Sequence, residues 1–251
     1  MTTGALIFAI NNGATDYAAM ARWNADNIRR HLGIPTHIIT NDQSLGSNSR
    51  HFTDLGHVTW HNLTRPDAYD LSPWDRTLLL DADYVVTTDA LGVLLEADQD
   101  LLAHDSAYDI TGCNDFHGLN SFGEHAMPMW WATVMMFRRS DHARWIFDTM
   151  RMVRDHWQHY RDLYKIRQAT YRNDHALSIA LLVCDGHWLE HVAIPWSLAT
   201  LTPEHTLTAI TQDRYRVDFT NTENQRRWIS VAQDFHAMGK TQLEAVIADH
   251  G

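Results

Sequence analysis

Apolar residues fall along this chain in short runs separated by polar punctuation. Ala5 to Ile10 is a continuous apolar run that stops at Asn11-Asn12-Gly13, which predicts a buried strand entering a loop. Thr15 or Asp16 is placed to cap a following helix, and Gly33 to end it. Pro35 leads into Thr36 to Thr40, a β-branched run closing at Asn41-Asp42. Strand, helix, strand is a βαβ unit, which implies a parallel sheet. Asn41 to Arg50 reads as a polar loop, Leu55 to Trp60 as a third strand, and Arg65 to Trp74, with two prolines and two aspartates, as irregular.

Thr77 to Leu80 is the next apolar run, broken by Asp81-Ala82-Asp83 and resumed at Tyr84-Val85-Val86. Asp109 to Gly112 is a short strand, Cys113 to Met129 a long polar loop of the kind that binds ligands, and Thr133 to Phe137 a buried strand. Asp141 is expected to cap one long helix whose apolar positions are Ile146, Met150, Val153, Trp157, Tyr160 and Tyr164. Asp174 is a good helix cap in its own right, and Leu177, Ala180, Leu181 and Cys184 share one face of the helix it opens. After Pro195 the chain reads as Thr-rich and poor in strands until Trp228 to Phe235, with a last helix following Gly239.

These elements predict one α/β domain, a mainly parallel sheet flanked by helices, and the length supports it. A chain of 251 residues buries about three quarters of its unfolded surface on folding, so it needs no disulfide or metal staple. At 45% hydrophobic and 20% charged residues it is neither disordered nor collagen-like. No window of about 18 apolar residues exists, and the start of the chain reads as a strand rather than a signal peptide. The two cysteines, Cys113 and Cys184, form no Cys-x-x-Cys pair, which suits a reducing cytoplasm and excludes a disulfide scaffold or zinc ribbon. The net charge of −11 repels polyanions as a global field, leaving only a local basic groove as a route to nucleic acid. Arg138, Arg139, Arg144, Arg151 and Arg154 are the one dense basic cluster; as a plain helix face they would be solvated.

Leu78-Leu79-Leu80-Asp81-Ala82-Asp83 carries the strongest chemical signal. An apolar strand delivers two carboxylates at the carboxyl edge of a parallel sheet, where open α/β folds bind ligands. On an extended chain alternate side chains share a side, so Asp81 and Asp83 converge. Converging carboxylates repel unless a cation lies between them, and Mg²⁺ or Mn²⁺ suits hard oxygen ligands. A second signal is Asp234-Phe235-His236-Ala237-Met238-Gly239-Lys240, which offers one imidazole and one ammonium. Gly239-Lys240-Thr241 resembles the tail of a phosphate loop, but such a loop needs Gly where Asp234 stands. No G-x-G-x-x-G and no H-E-x-x-H occurs, and His156 and His159 read as solvent-facing. A third signal is Tyr171-Arg172-Asn173-Asp174-His175.

In this order the motifs resemble the GT-A glycosyltransferases of the glycogenin and lipopolysaccharide-glycosyltransferase type, from Ala5 to about Lys240. The carriers are Ala9-Ile10-Asn11-Asn12 with Tyr17, Ser72-Pro73-Trp74-Asp75-Arg76, Asp81-Ala82-Asp83, Trp131 to Ser140, Asn173-Asp174-His175-Ala176-Leu177, and His236-x-x-Gly239-Lys240. The resemblance implies a donor nucleotide sugar, usually a UDP-sugar, bound with Mn²⁺ or Mg²⁺. It implies Asp81, Asp83 and His236 on the metal, Lys240 on the diphosphate, and Ala9, Asn11 and Tyr17 against uracil and ribose. Asp174, with Asn173, would face the transferred sugar, and Arg76 would reach sugar or diphosphate. It further implies a retaining transfer, with residues 1–110 as the nucleotide-binding half and 111–251 as the acceptor half with the metal and diphosphate segment. The chain departs from the pattern at Trp131-Ala132-Thr133, where Asn-x-Gly is usual, and at His175, where Gln commonly follows the acid. Met127 to Trp131 also resembles phage-encoded relatives, whose compartment would be the host cytoplasm. The acceptor is expected to be a glycan, a small metabolite or a hydroxymethylated DNA base, with no membrane partner. A nucleotidyltransferase and a non-catalytic nucleotide-sugar binder are the competing readings. The segment from His236 onward, far in sequence from Asp81, is expected to be mobile without ligand, and a chain ending near Gln233 to fold.

Overall fold

The structure is a computed structural model that describes residues 1–45, 49–51, 61–186 and 192–250. Its centre is a six-stranded sheet of β1 (Thr3–Ala9), β2 (Thr36–Thr40), β3 (Ser49–His51), β4 (Arg76–Asp81), β6 (Leu101–His104) and β10 (Trp131–Arg138), in the order β3-β2-β1-β4-β10-β6. β3, β2, β1 and β4 pair in parallel, and β10 runs antiparallel to both β4 and β6. The helix α1 (Tyr17–Leu32) makes the β1–β2 crossover. Asp16 caps it by accepting from the Ala19 N–H at 3.0 Å, and Gly33 ends it in the left-handed region at φ 67°.

Both faces of the sheet are buried, which is why its strands read as unbroken apolar runs. Alternation sorts the residues between two cores. Ala5, Ile7, Ala9, Leu78, Leu80, Val134 and Met136 face one, and Leu6, Leu79, Met135 and Phe137 the other. The second core is closed by α3 (Asp141–Asp155) and α5 (Asn173–Asp185). The first is closed by α1, by a smaller sheet, by a three-stranded meander and by α6 (Lys240–His250). The smaller sheet has the order β5-β15-β11-β7, from β5 (Tyr84–Val85), β7 (Ala107–Asp109), β11 (Leu198–Leu201) and β15 (Phe235–Ala237). The meander is β12 (Thr206–Thr211), β13 (Arg214–Thr220) and β14 (Arg226–Val231).

Several expectations are corrected. The chain after Pro195 is strand-rich, because polar residues alternate with Leu207, Tyr215 and Val217, which present one buried face. The long helix is two: α3 ends at Asp155, His156 breaks the helical geometry, and α4 (Trp157–Leu163) follows. Its cap is Ser140, which accepts from the Ala143 N–H at 3.1 Å, and not Asp141. Trp157 is therefore half-buried, stacked on His175 with ring centres 5.8 Å apart. The stretch after Arg65 is helical: a 3-10 segment spans His61–Asp67 and α2 spans Ala68–Leu71. Cys113 to Met129 contains a short hairpin of β8 (Ser121–Phe122) and β9 (Met127–Pro128). The strand at Asp109 begins earlier, at Ala107, and Ser49–His51 pairs with β2 where only loop was expected. The strand predicted at Leu55 to Trp60 lies outside the described residues.

The C-terminal segment is part of the core. β15 lies between β5 and β11, Phe235 and Leu243 are fully buried, and one oxygen of Asp234 accepts from the backbone and hydroxyl of both Thr87 and Thr88 at 2.7–3.2 Å. A chain ending at Gln233 is therefore expected to lose its cooperative thermal transition. Asp234→Ala, which orphans those donors, is expected to keep the transition and lose about 1–3 kcal/mol. A sharp, parent-like melt of the truncated chain would overturn this placement. Trp157→Ala is expected to cost less than the about 3–5 kcal/mol of a fully buried aromatic, measured by denaturant unfolding.

Candidate active site

The strands β1, β4 and β10 end or begin side by side, and a cavity of about 490 Å³ opens there. Its walls come from Phe8, Ile10, Asn12 and Tyr17 at and beyond the end of β1, from Asp81, Ala82 and Asp83 at and beyond the end of β4, and from Trp131, Ala132 and Thr133 at the start of β10. Gln168, Thr170, Tyr171, Arg172, Asn173 and Asp174 close one side; His236, Met238, Lys240 and Arg65 complete it.

Asp81 ends β4, and Ala82 and Asp83 form a turn rather than a continued pleat. The two carboxylates still meet, together with His236. Asp81, Asp83 and His236 each offer a ligand atom within 4.8 Å of the others. His236 is brought there by backbone pairing: it sits opposite Tyr84 in the β15–β5 ladder, and the Ala237 N–H donates to the Asp83 carbonyl at 2.9 Å. Asp83, 4% exposed, pairs with His236 Nε2 at 3.3 Å and with the Lys240 ammonium. Burial alone would raise its carboxyl, but His236 and Lys240 hold it well below the usual range. Asp81 keeps 35% of its side chain open to the cavity, and its Oδ1 pairs with Arg65 at 2.7 Å. Burial pushes its carboxyl up against the pull of Arg65, and the charge of Asp83 adds to the rise. Two carboxylates and an imidazole form a donor set that suits Mn²⁺ or Mg²⁺, and the His236 Nδ1 is buried without a hydrogen-bond partner.

Of the residues singled out by sequence, Asp81, Asp83, His236, Lys240, Tyr17, Asn173 and Asp174 line this one cavity. Three do not. Arg76 opens β4, at the opposite end of the strand from Asp81, and its guanidinium donates to the carbonyls of Leu95 and Ala97 at 2.6 and 2.9 Å. Ala9 is fully buried in the core, because alternation turns Phe8 and Ile10 to the cavity instead. Asn11 secures the turn into α1, accepting from the Ala18 N–H at 2.8 Å and donating to Asp16 at 2.9 Å. Asp174 is not the cap of α5, a position held by Arg172; its carboxylate accepts from the Ala132 N–H at 2.9 Å and from Arg172 at 2.7 Å. His175 turns away under Trp157 and Phe122, where burial depresses its pKa to about 4.

Arg65 was not legible as a site residue. It is 3% exposed and donates to the carbonyls of Ala132 and Thr133 while holding Asp81, so it ties β4 to β10 from beneath the cavity. No periodicity marks it. Phe8 and Ile10, by contrast, follow from carrying the strand alternation to its end. The basic cluster is engaged within the chain: Arg138 pairs with Asp100, Arg139 donates to the carbonyls of Ser72 and Trp74, Arg144 stacks on Tyr69, and Arg151 and Arg154 pair with Asp67.

No family model matches the chain, and no curated protein matches it by sequence. Among solved structures, it is similar to the apo-form glycosyltransferase GlyE of Streptococcus pneumoniae at 16% identity and a TM-score of 0.45, over 77% of this chain and 45% of that one. The chain thus spans less than half of GlyE. It is similar to the galactosyltransferase LgtC, solved with donor and acceptor sugar analogues, at 15% identity and a TM-score of 0.44, over 69% of each chain. It is also similar to the bifunctional IspDF of Campylobacter jejuni at 6% identity and a TM-score of 0.42, over 71% of this chain and 47% of that one. Likeness at this level defines no family, and the functional reading rests on the cavity's own residues.

The charges at Asp83 give a test in acid. A depressed folded pKa stabilises the native state above the unfolded value of 3.8, and that contribution is lost as pH falls below it. The parent is expected to lose stability more steeply than Asp83→Asn below about pH 4, measured by urea unfolding across that range. Parallel slopes would contradict the pairing.

Proposed function

We propose that this protein transfers a sugar from a nucleotide sugar, most simply a UDP-sugar, to a hydroxyl of a glycan or small acceptor, with Mn²⁺ or Mg²⁺ bound. The observation that carries the reading is the meeting of Asp81, Asp83 and His236, with Lys240 beside them, in one cavity at the carboxyl ends of β1 and β4. The resemblance of the sequence motifs to GT-A glycosyltransferases supports it.

Each stretch of the cavity suits one part of such a donor. Phe8, Ile10, Asn12 and Tyr17 offer apolar and aromatic surface with one amide, which fits a base and ribose. Asp81, Asp83 and His236 would hold the divalent cation, whose role when bound is to neutralise charge on the diphosphate. Lys240 adds a second positive charge where the leaving diphosphate gains negative charge. Arg65 fixes the direction of the Asp81 carboxylate through two strands. Asn173 and Asp174, at the start of α5, line the same cavity and are read as the groups that would meet the transferred sugar, with Asp174 held by the Ala132 N–H and Arg172. A retaining transfer, which the resemblance of the motifs suggests, would call on Asp174 as the carboxylate nearest the sugar. Both halves of the chain line the cavity; on this reading residues 1–110 would supply the nucleotide wall with Asp81 and Asp83, and residues 111–251 the sugar wall with His236 and Lys240. A polynucleotide acceptor would need free cations, and the arginines from Arg138 to Arg154 are held by the chain's own groups. No described helix is long and apolar enough to cross a membrane.

The test is a screen of nucleotide sugars for hydrolysis and transfer, with and without EDTA. UDP with Mn²⁺ is expected to raise the melting temperature more than UDP alone, and Asp83→Asn to lose about 100-fold or more in turnover while staying folded. His236→Ala is expected to need more Mn²⁺, and Lys240→Ala to weaken UDP binding in a way that fades with salt. Arg76→Gln, distant from the cavity, is expected to leave donor affinity unchanged. Full activity in EDTA with no bound metal would overturn the reading.

A further inference from the structure

We propose that Lys240 makes the cavity selective for a divalent cation and a diphosphate taken together, by holding Asp83 with its ammonium until a diphosphate draws the ammonium away. The proposal rests on the reading of Asp81, Asp83 and His236 as metal-binding residues, and it concerns what those residues admit.

Two groups meet at one atom. The Lys240 ammonium and His236 Nε2, the latter at 3.3 Å, both pair with Oδ2 of Asp83. The Asp83 side chain is only 6% exposed, so its charge is answered by protein groups rather than by water. Among the described residues Asp83 is also the one ion-pair partner of Lys240. Glu244, four residues along α6 and so on the same helix face, is turned to the Asp16 N–H at 2.9 Å. Asp83 thus carries a cation of its own before it meets any divalent one. The ammonium repels a second positive charge at the same carboxylate, and burial leaves that repulsion weakly screened.

The backbone cannot relieve it. Lys240 opens α6, and α6 is anchored by the buried Leu243 and Val246 as well as by the Glu244 contact. The side chain can, because it is 28% exposed, lines the cavity and carries its charge on a flexible four-carbon stem. It needs another anion to move to. The other carboxylates of the cavity are taken: Asp81 pairs with Arg65 at 2.7 Å, and Asp174 with Arg172 at 2.7 Å and the Ala132 N–H at 2.9 Å. The second anion therefore comes with the ligand. A diphosphate brings oxygens for a divalent ion and further oxygens for the ammonium, whereas a nucleoside brings neither.

This exchange makes the two ligands favour each other by more than their own attraction, and by linkage each raises the affinity of the other by the same factor. A lysine that stayed in place would behave differently. It would weaken the cation and strengthen the diphosphate by fixed amounts, and its removal would leave the coupling factor unchanged.

The experiment has two readings on the full chain, in the parent, Lys240→Met and Lys240→Arg. Electron paramagnetic resonance of free Mn²⁺ gives the affinity for the ion alone. Equilibrium dialysis gives the affinities for UDP, inorganic pyrophosphate and uridine, in EDTA and at a fixed excess of free Mn²⁺. The solution complex of Mn²⁺ with each phosphate is common to all three proteins and cancels between them. Lys240→Met is expected to bind Mn²⁺ alone about tenfold or more tighter than the parent, and Lys240→Arg to bind it like the parent. The factor by which Mn²⁺ tightens UDP and pyrophosphate is expected to fall about tenfold in Lys240→Met, while uridine is indifferent to Mn²⁺ in each protein. Mn²⁺ bound no tighter by Lys240→Met, or an undiminished coupling factor, would overturn the exchange. So would uridine tightened by Mn²⁺ as much as pyrophosphate in the parent, a comparison that needs no variant to fold. If the coupling depends on Lys240 but no nucleotide sugar is turned over, the sugar-transfer reading falls and the exchange stays. If sugar is transferred with Mn²⁺ and the coupling ignores Lys240, the exchange falls and the reading stays.

Discussion

Two carboxylates that share the floor of a cavity repel each other, and the structure around Asp81 and Asp83 is organised by how that repulsion is relieved. Asp83 is answered by His236 and Lys240, both from the C-terminal segment, and Asp81 by Arg65 from beneath. Neither set of partners lies near the acids in sequence. They arrive because β15 pairs with β5, one step past Asp83, and because Arg65 reaches two carbonyls of β10. The site is therefore only as rigid as those two contacts. The burial of Phe235 and the grip of Asp234 on Thr87 and Thr88 are structural conditions for the chemistry rather than accompaniments to it.

This division explains a fold that otherwise looks irregular. The large sheet presents three strand ends in a row and so sets the width of the cavity. The small sheet contributes no wall of its own beyond β15, yet it fixes where an imidazole and an ammonium stand. The α6 helix carries Lys240 at its first position, and one turn later Glu244 accepts the Asp16 N–H at 2.9 Å, next to Tyr17. The Tyr17 wall of the cavity and the Lys240 ammonium are thus held by a single short helix.

Much of the sheet was legible because apolar runs bounded by Gly, Pro, Asn and Asp have few other readings: β1, β2, β4 and β10, with the caps of α1, follow from pattern alone. The acids of Asp81-Ala82-Asp83 were legible for the same reason, since a triple leucine stops at them. What was hidden depends on contacts between distant segments. The meander was missed because threonine marks strand and loop alike until its partners are known. The helix break at His156 has no proline or glycine to announce it. Arg76 was drawn in by the resemblance of Ser72-Pro73-Trp74-Asp75-Arg76, whereas the direction of β4 carries it to the end of the strand away from Asp81. Ala9 shows the period-2 rule overriding a motif, since alternation turns it from cavity to core, while Asn11 is taken up by the turn into α1.

The central claim is that one divalent ion is shared by the Asp81-Ala82-Asp83 turn and the imidazole of His236. Electron spin-echo envelope modulation of the protein loaded with Mn²⁺ and UDP tests it most directly, because it detects a nitrogen bonded to the metal. The account predicts modulation from one directly bound imidazole nitrogen in the parent and none in His236→Gln, with Mn²⁺ still bound through the carboxylates. Bound Mn²⁺ without nitrogen modulation in the parent, or the same modulation in His236→Gln, would contradict it.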